Sequence, residues 1–174
     1  MDNIVDFSKS HNMKAYNIKA KDIIVEERVY LKCAYGCKDF GKRLNCPPNC
    51  ISIDKFKTIL SEYDNAVILL QEYRTSSKEN MIDAWEDARR EAFRTMMEVE
   101  KFAFNSGFTF AHLLRPGSCN ECQVCEEKCS KPSLRRFSPE AVGVNLDKTL
   151  KNVNIIIDYS DYSVINLIGI LLLE

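Results

Sequence analysis

The pattern of apolar and polar residues along the chain predicts strands and helices in alternation. Residues Asn65–Arg74 (NAVILLQEYR) begin with a continuous apolar run, which predicts a strand that is buried in its first half. The run Val164–Leu173 predicts a second buried strand. Asp22–Lys32 (DIIVEERVYLK) is rich in β-branched and aromatic residues that partly alternate with charges, and this favours a strand. Phe108–Leu114 is a further predicted strand.

Helical periodicity lies between these strands. Ser52 is a suitable N-cap, with Asp54 in the first turn of a helix whose inward residues are Ile53, Phe56, Ile59 and Leu60. The longest predicted helix is Lys78–Asn105, and Gly107 ends it. Its apolar stripe comprises Met81, Trp85, Ala88, Ala92, Met96, Val99 and Ala103.

A third helical region follows. Ser138-Pro139-Glu140 is typical of a helix start, and the apolar residues Leu146, Leu150, Val153 and Ile157 mark a helical face. The alternation of helices and strands predicts an α/β fold, an α+β sandwich in which a mixed sheet is covered by helices. The length of 174 residues suits a single domain over residues 1–174.

Composition and charge narrow the possible partners. The formal net charge is −1 and 45% of the residues are hydrophobic, so neither nucleic acid nor a membrane is predicted as a partner. The basic stretches Lys14–Lys21 and Lys131–Arg136 are short and indicate solvated surface. No secretory signal is recognisable, and the apolar run 164–173 is far shorter than the roughly 20 residues of a membrane helix. The predicted location is the cytoplasm, where disulfides do not persist.

The eight cysteines fall into two groups of four, and in a reducing compartment they indicate metal or redox chemistry. The second group, Cys119, Cys122, Cys125 and Cys129, has the spacing C-x2-C-x2-C-x3-C of bacterial ferredoxins. This spacing predicts an iron–sulfur cluster, [4Fe–4S], within a loop at 117–132. Because proline follows Cys129 only at position 132, Cys129 is open to serving either its own cluster or a neighbouring one.

The first group, Cys33, Cys37, Cys46 and Cys50, has the less standard spacing C-x3-C-x8-C-x3-C in a loop at 33–50. Gly36 and Gly41 permit tight turns, and Pro47-Pro48 stiffens the segment between the last two cysteines. We favour a second iron–sulfur cluster, with a four-cysteine zinc site as the alternative. Both groups follow predicted strands, so we expect them to lie close together.

Other chemistry is weakly signalled. The two histidines, His11 and His112, are interpreted as structural residues rather than ligands. No Ser/His/Asp arrangement and no glycine-rich phosphate loop is visible in the sequence. Catalytic residues are therefore not predicted.

Together, CAYGCKDFGKRLNCPPNC and CNECQVCEEKCSKPSLRRFSPEAVGVNL resemble a cysteine-rich family described as predicted metal-binding, domain-of-unknown-function family 2284. The similar features are Cys46-Pro47-Pro48, Gly117 to Cys125, Cys129 to Pro132, Ser138 to Gly143 and the apolar strand Val164 to Leu173. The family is common in anaerobic bacteria and archaea. The resemblance implies metal binding and an anaerobic setting, and it implies no particular activity.

These observations lead to three functional hypotheses. The preferred one is a protein with two iron–sulfur clusters that transfers electrons to or from a redox partner protein in anaerobic metabolism. The second is a redox enzyme or accessory factor in which one cluster binds substrate. The third is a structural zinc protein that mediates assembly. An electron-transfer or accessory role is favoured over an independent enzyme, and the oligomeric state is left open.

Overall fold

A four-stranded antiparallel sheet forms the centre of the protein, in the order β1-β2-β4-β3. The computed structural model describes residues 1–75 and 81–174. The strands are β1 (Lys14–Lys19), β2 (Asn65–Arg74), β3 (His112–Leu114) and β4 (Val164–Leu173). The predicted α+β class is confirmed, but the sheet is not mixed as expected: within the described residues all three strand pairs are antiparallel.

The two strands predicted from continuous apolar runs, β2 and β4, are confirmed and lie at the centre of the sheet. They pair along their whole length, from Asn65 opposite Leu173 to Arg74 opposite Val164. Residues on both faces of these strands are buried, which explains why their sequences do not alternate between apolar and polar residues.

Helices cover both faces of this sheet. They are α1 (Asp2–Ser10), α2 (Val29–Gly36), α3 (Ile53–Leu60), α4 (Met81–Asn105) and α5 (Leu146–Lys151), with short 3₁₀ turns at Ala20–Asp22, Pro132–Leu134 and Glu140–Val142. Within residues 1–75 and 81–174, no helix is both long enough and apolar enough to cross a bilayer.

Each face of the sheet has its own hydrophobic core. On one face, α1 and α4 pack against Val67, Leu69 and Leu171. On the other, α3 and α5 pack against Ile68 and Leu70 together with the segment around Val142. Helix α4 and helix α3 therefore lie on opposite sides of the molecule.

The predicted helices α3 and α4 are confirmed. The Ser52 hydroxyl accepts a hydrogen bond from the Lys55 N–H at 3.2 Å, as expected of an N-cap. Gly107, with φ 105°, follows the end of α4. Ile53, Phe56 and Leu60 of α3 and Ala88, Ala92, Met96, Val99 and Ala103 of α4 are buried. The predicted residues 78–80 and the side chain of Met81 lie outside the described residues.

The predicted strand Asp22–Lys32 is wrong. Val25 forms an isolated bridge with Val144, and Val29–Gly36 is helix α2. Tyr30 and Leu31 are exposed, at 37% and 52%, so these apolar residues do not contribute to a buried sheet face. The backbone at Ile24 and Glu26 bonds to residues 143–149, and from Val29 onward the backbone is paired locally in helical turns.

Other boundaries also differ from the sequence prediction. The strand predicted at Phe108–Leu114 is limited to His112–Leu114. Ser138 begins a 3₁₀ turn rather than a longer helix, and its hydroxyl accepts the Ala141 N–H at 3.2 Å. Helix α5 ends at Lys151, so the expected helical face does not extend to Ile157. Helix α1 and strand β1 were not predicted. The buried residues of β1, Ala15 and Ile18, belong to the cores on opposite faces of the sheet, so the strand has no period-two apolar pattern.

Candidate metal centre

The first cysteine group is built on helix α2 and on the loop that connects it to α3. Cys33 lies within α2, Cys37 directly follows it, and Cys46 and Cys50 lie in the loop before the Ser52 cap. The expectation that a strand leads into this group is therefore wrong. The second group does follow a strand, since Cys119 comes five residues after the end of β3 at Leu114.

Three cysteines of the first group line one open pocket. The pocket has a volume of about 330 Å³ and is lined by Cys33, Cys37 and Cys46, together with Trp85 and Gly117 from other parts of the chain. Cys50 is not among the lining residues, and its thiol donates to the Ala141 carbonyl at 3.4 Å. Most of the lining residues are not cysteines, so the volume of the pocket is not the space between the sulfurs.

The electrostatics of this group favour neutral thiols in the metal-free state. Burial raises the pKa of Cys46 to about 12, and negative charge at Cys37, Asp39, Cys33 and Cys50 adds to this effect. Burial likewise raises the pKa of Cys33 to about 11, with added contributions from Cys37, Glu140 and Cys50. The four sulfurs are thus close enough to influence one another. A bound cation would reverse this by stabilising the thiolates.

The exposure of the second cysteine group is more uniform than that of the first, which ranges from buried Cys46 to exposed Cys37. The four cysteines of the second group are half-buried free thiols, and all eight cysteines of the chain are free. Val124, between Cys122 and Cys125, is 77% exposed. A centre held by this loop would be covered by little more than its own backbone.

Two buried arginines, Arg89 and Arg115, donate hydrogen bonds to the second loop. The side chain of Arg115 is 0% exposed, stacks on Phe93 at 3.8 Å and donates to the Asn120 side chain at 2.9 Å. Among the described residues its Nε and Nη1 have no hydrogen-bond partner. Arg89 donates through Nη1 to the Ser118 carbonyl and hydroxyl, both at 2.8 Å. These cations lie next to the segment that carries Cys119.

Burial lowers the pKa of Arg115, whereas negative charge at Cys119 acts in the opposite direction. A buried guanidinium with unpaired N–H groups is costly unless an anion lies beside it. A metal centre with four thiolate ligands carries net negative charge, both for zinc and for a [4Fe–4S]²⁺ cube. The residues around the second group therefore fit an anionic thiolate centre.

Polar contacts join the two cysteine loops. Asn45, which is 1% exposed, accepts the Cys119 N–H at 3.2 Å and donates to the Arg136 carbonyl at 2.9 Å. Arg43 donates to the carbonyls of Cys122 and Gln123 at 3.0 and 3.2 Å. Although burial opposes it, hydrogen bonds to Cys125 and Asp39 raise the pKa of Arg43. The predicted proximity of the two groups is confirmed at the level of their loops.

Gly117 lies where the loops and α4 meet. Its φ of 66° falls in the left-handed region, and a Cβ there would come within 3.1 Å of the Arg89 side chain. Ser118, the next residue, donates its hydroxyl to Asp39 at 2.5 Å. The glycine thus allows the second loop to approach both α4 and the first loop.

The histidines take no part in this region. His11 contacts the Phe7 carbonyl at 2.9 Å through Nδ1, and burial lowers the pKa of His112, which pairs with Leu172 in the sheet. Their interpretation as structural residues agrees with these positions. Across residues 1–75 and 81–174, no three His, Cys, Asp or Glu side chains already form a ligand set for one metal ion.

The fold and the cysteine loops define a cysteine-rich α+β protein with the features of a metal-binding protein. The chain belongs to the family described as predicted metal-binding protein (DUF2284), whose model matches residues 16–173. No similar curated protein and no similar solved structure was found.

Sequence reasoning identified the cysteines but missed the residues that surround them: Asp39, Arg43, Asn45, Arg89 and Arg115. Some signal was present. Asn45 directly precedes Cys46, and Arg115 is a single charged residue between the apolar strand β3 and the second loop. A lone charge in such a position indicates a buried partner.

Proposed function

We propose that this protein binds two iron–sulfur clusters, of the [4Fe–4S] type, and transfers electrons to or from a partner enzyme in the cytoplasm of an anaerobic cell. The observation that carries the proposal is the direct contact between two four-cysteine loops through Asn45 and Arg43. Two redox centres held in adjacent loops form a path along which an electron can pass through the protein.

The cysteine spacing supports iron–sulfur clusters over zinc. The spacing of Cys119, Cys122, Cys125 and Cys129 is that of ferredoxins, whereas zinc sites usually combine two separated pairs. The assignment is extended to the first group because its loop contacts the second loop through Asn45 and Arg43.

The residues around the cysteines have distinct roles in this proposal. Arg115 and Arg89, which also pair with Glu121 and Glu86, lie next to the second centre and would partly offset its negative charge. Arg43 contacts the same loop through the carbonyls of Cys122 and Gln123. Trp85 and Pro47 line the pocket at the first centre. When bound, the clusters supply reversible one-electron chemistry, and their surroundings set the potential.

One observation favours a second candidate function, a redox enzyme or accessory factor with a substrate-binding cluster. Cys50 is turned towards the Ala141 carbonyl while the other three cysteines of the first group line the pocket. Three cysteine ligands would leave one iron with an open position. Cys50→Ser should then retain the first cluster and its electron paramagnetic resonance (EPR) signal, whereas a simple carrier should lose that cluster.

Metal analysis of anaerobically purified protein tests the main proposal. We expect about eight irons and eight acid-labile sulfides per chain, the content of two cubes. After reduction, the EPR spectrum should show broadening from two neighbouring paramagnets. Stoichiometric zinc without sulfide would overturn the proposal. One cluster and one zinc ion per chain would overturn the assignment of an iron–sulfur cluster to the first loop.

Asn45 provides a matched variant for the path between the loops. Asn45→Ala leaves the Cys119 N–H and the Arg136 carbonyl unpaired at a buried position, so we expect lower occupancy of both clusters or loss of the EPR coupling. Asn49→Ala is the control, because Asn49 is exposed and bonds within the first loop, to the carbonyls of Gly41 and Arg43. Equal spectra for the two variants would contradict a role of the Asn45 contact.

A further inference from the structure

A groove with an excess of positive charge runs beside the second cysteine loop. It has a volume of about 640 Å³ and includes Cys122 in its wall. The cations that line it come from the first loop, helix α4 and the second loop: Lys38, Arg43, Arg90, Arg94 and Lys131. Because they belong to three separate parts of the sequence, the short basic stretches considered along the chain do not reveal them.

The two acidic residues that line the groove are each close to a buried arginine. Glu86 is paired with buried Arg89 and with Lys38. Glu121 lies 3.6 Å from buried Arg115. Even without these two arginines, the residues that line the groove include five cations and only two carboxylates, Glu86 and Glu121, so positive charge is in excess.

Four of these cations are exposed to solvent, whereas Arg43 is mostly buried and pairs with Asp39. Lys38 is 68% exposed and Arg90 is 44% exposed, with a weak ion pair from Arg90 to the 81% exposed Asp87 at 3.5 Å. Arg94, one helical turn after Arg90, is also exposed. Such a pattern of exposed, same-sign charge raises the rate of encounter with an oppositely charged partner.

An exposed apolar side chain lies in the loop that forms one wall of the groove. Val124, 77% exposed, lies in the same loop as Cys122, and this loop would cover the second cluster. A small apolar contact within a charged rim is the usual anatomy of weak, transient interfaces. Contact at this position would bring a partner's redox centre close to the second centre.

We propose that this groove docks an acidic electron-carrier protein. This inference rests on the proposed function, and it adds the surface and the chemistry of the partner. In the exchange, the carrier would give up one electron and be oxidised, and the iron–sulfur centre that Cys119, Cys122, Cys125 and Cys129 would hold would accept that electron. No proton or bond is transferred. The reverse step uses the same surface.

Stopped-flow reduction of the cluster-loaded protein tests the proposal, with a reduced acidic [2Fe–2S] ferredoxin of plant type as the probe. At low salt the second-order rate constant should be high, and it should fall steeply as the ionic strength rises. Arg90→Glu/Arg94→Glu should lower the rate constant at low salt by tenfold or more. The control Lys21→Glu/Lys55→Glu, which changes exposed lysines associated with the opposite face of the sheet, should leave it within twofold.

Reduction by methyl viologen radical cation separates docking from cluster loss, since this small donor should reduce the charge-reversed variant at least as fast as the wild type. An unchanged rate with ferredoxin in Arg90→Glu/Arg94→Glu would overturn the docking surface and leave the proposed function intact. Loss of DNA-oligonucleotide binding in that variant, with an unchanged ferredoxin rate, would identify a nucleic-acid surface and also overturn it. Protein without iron and sulfide would overturn both proposals.

Discussion

The two cysteine loops have the same number of thiols but different surroundings. In the first, exposure ranges from buried Cys46 to exposed Cys37, and the nearby carboxyl groups are Asp39, which pairs with Arg43, and Glu140, whose pKa is raised by burial. In the second, all four cysteines are half-buried, and two buried arginines, Arg89 and Arg115, lie next to the segment that carries Cys119. Because reduction adds negative charge to a cluster, negative neighbours lower its potential and positive neighbours raise it. We therefore expect the second cluster to accept an electron first.

The two loops also differ in the role that we expect for each: the first stabilises the fold, and the second exchanges electrons with a partner. The first loop is tied to α2 and to the cap of α3, so its metal would stabilise the fold. The second loop, with Val124 exposed, is placed for exchange at the surface. Three experiments would sharpen or break this comparison.

The largest effect is expected from loss of a ligand in the first loop. Cys46→Ala should remove the first cluster and lower the free energy of unfolding by at least about 3 kcal/mol, or roughly 6 to 12 °C in melting temperature. Cys122→Ala is the matched variant in the second loop, and it should lose the second cluster with a smaller fall in melting temperature. Anaerobic calorimetry with iron analysis measures both. Wild-type melting in a variant that has lost its cluster would contradict the linkage of metal to folding, and equal falls would contradict the comparison.

An intermediate effect is expected from a buried charge. Arg115→Met should shift the potential of the second cluster by roughly 60 mV to more negative values, equivalent to about 1.4 kcal/mol for one electron. The potential of the first cluster is the internal control and should stay constant. Arg115→Lys keeps the positive charge, so the potential of the second cluster in this variant should stay close to the wild-type value. An EPR-monitored redox titration measures these values, and equal shifts of both clusters would show that Arg115 does not distinguish the loops.

The smallest effect concerns the metal-free protein at alkaline pH. The folded pKa of Cys46 is about 12 and that of Cys33 about 11, both above the ordinary thiol value of 9.0. The folded state therefore holds these protons more tightly. Its stability is full below about pH 9 and is lost as the pH rises towards the folded values. Near pH 9.5 the loss should be about 1 kcal/mol or less per thiol.

Urea unfolding at pH 7 and pH 9.5, under reducing and metal-free conditions, measures this loss. Cys33→Ser/Cys46→Ser should reduce the pH dependence, because serine does not ionise in this range. An unchanged dependence in the double variant would show that other groups cause it.

The sequence was sufficient to predict those helices and strands whose apolar residues form a clear pattern. Strands β2 and β4 were predicted from continuous apolar runs, and α3 and α4 from helical stripes, because burial on defined faces dictates these residues. The segment Asp22–Lys32 was assigned incorrectly, since its β-branched residues reflect a local preference that the tertiary structure overrode. The spacing of the cysteines located the candidate centre. Their charged neighbours come from distant positions, and spacing along a chain carries no information about them.

The order of the strands has a consequence for biosynthesis. Strand β4 (Val164–Leu173) lies between β2 and β3, yet it is made after both cysteine loops. While the ribosome translates the chain, β2 and β3 therefore have no partner between them, and the thiols at 33–50 and 117–132 emerge before the sheet can close. Cofactor insertion into the finished fold has to follow synthesis of β4. During translation, the newly made thiols depend on reducing surroundings, or on an assembly factor that shields them, to escape oxidation.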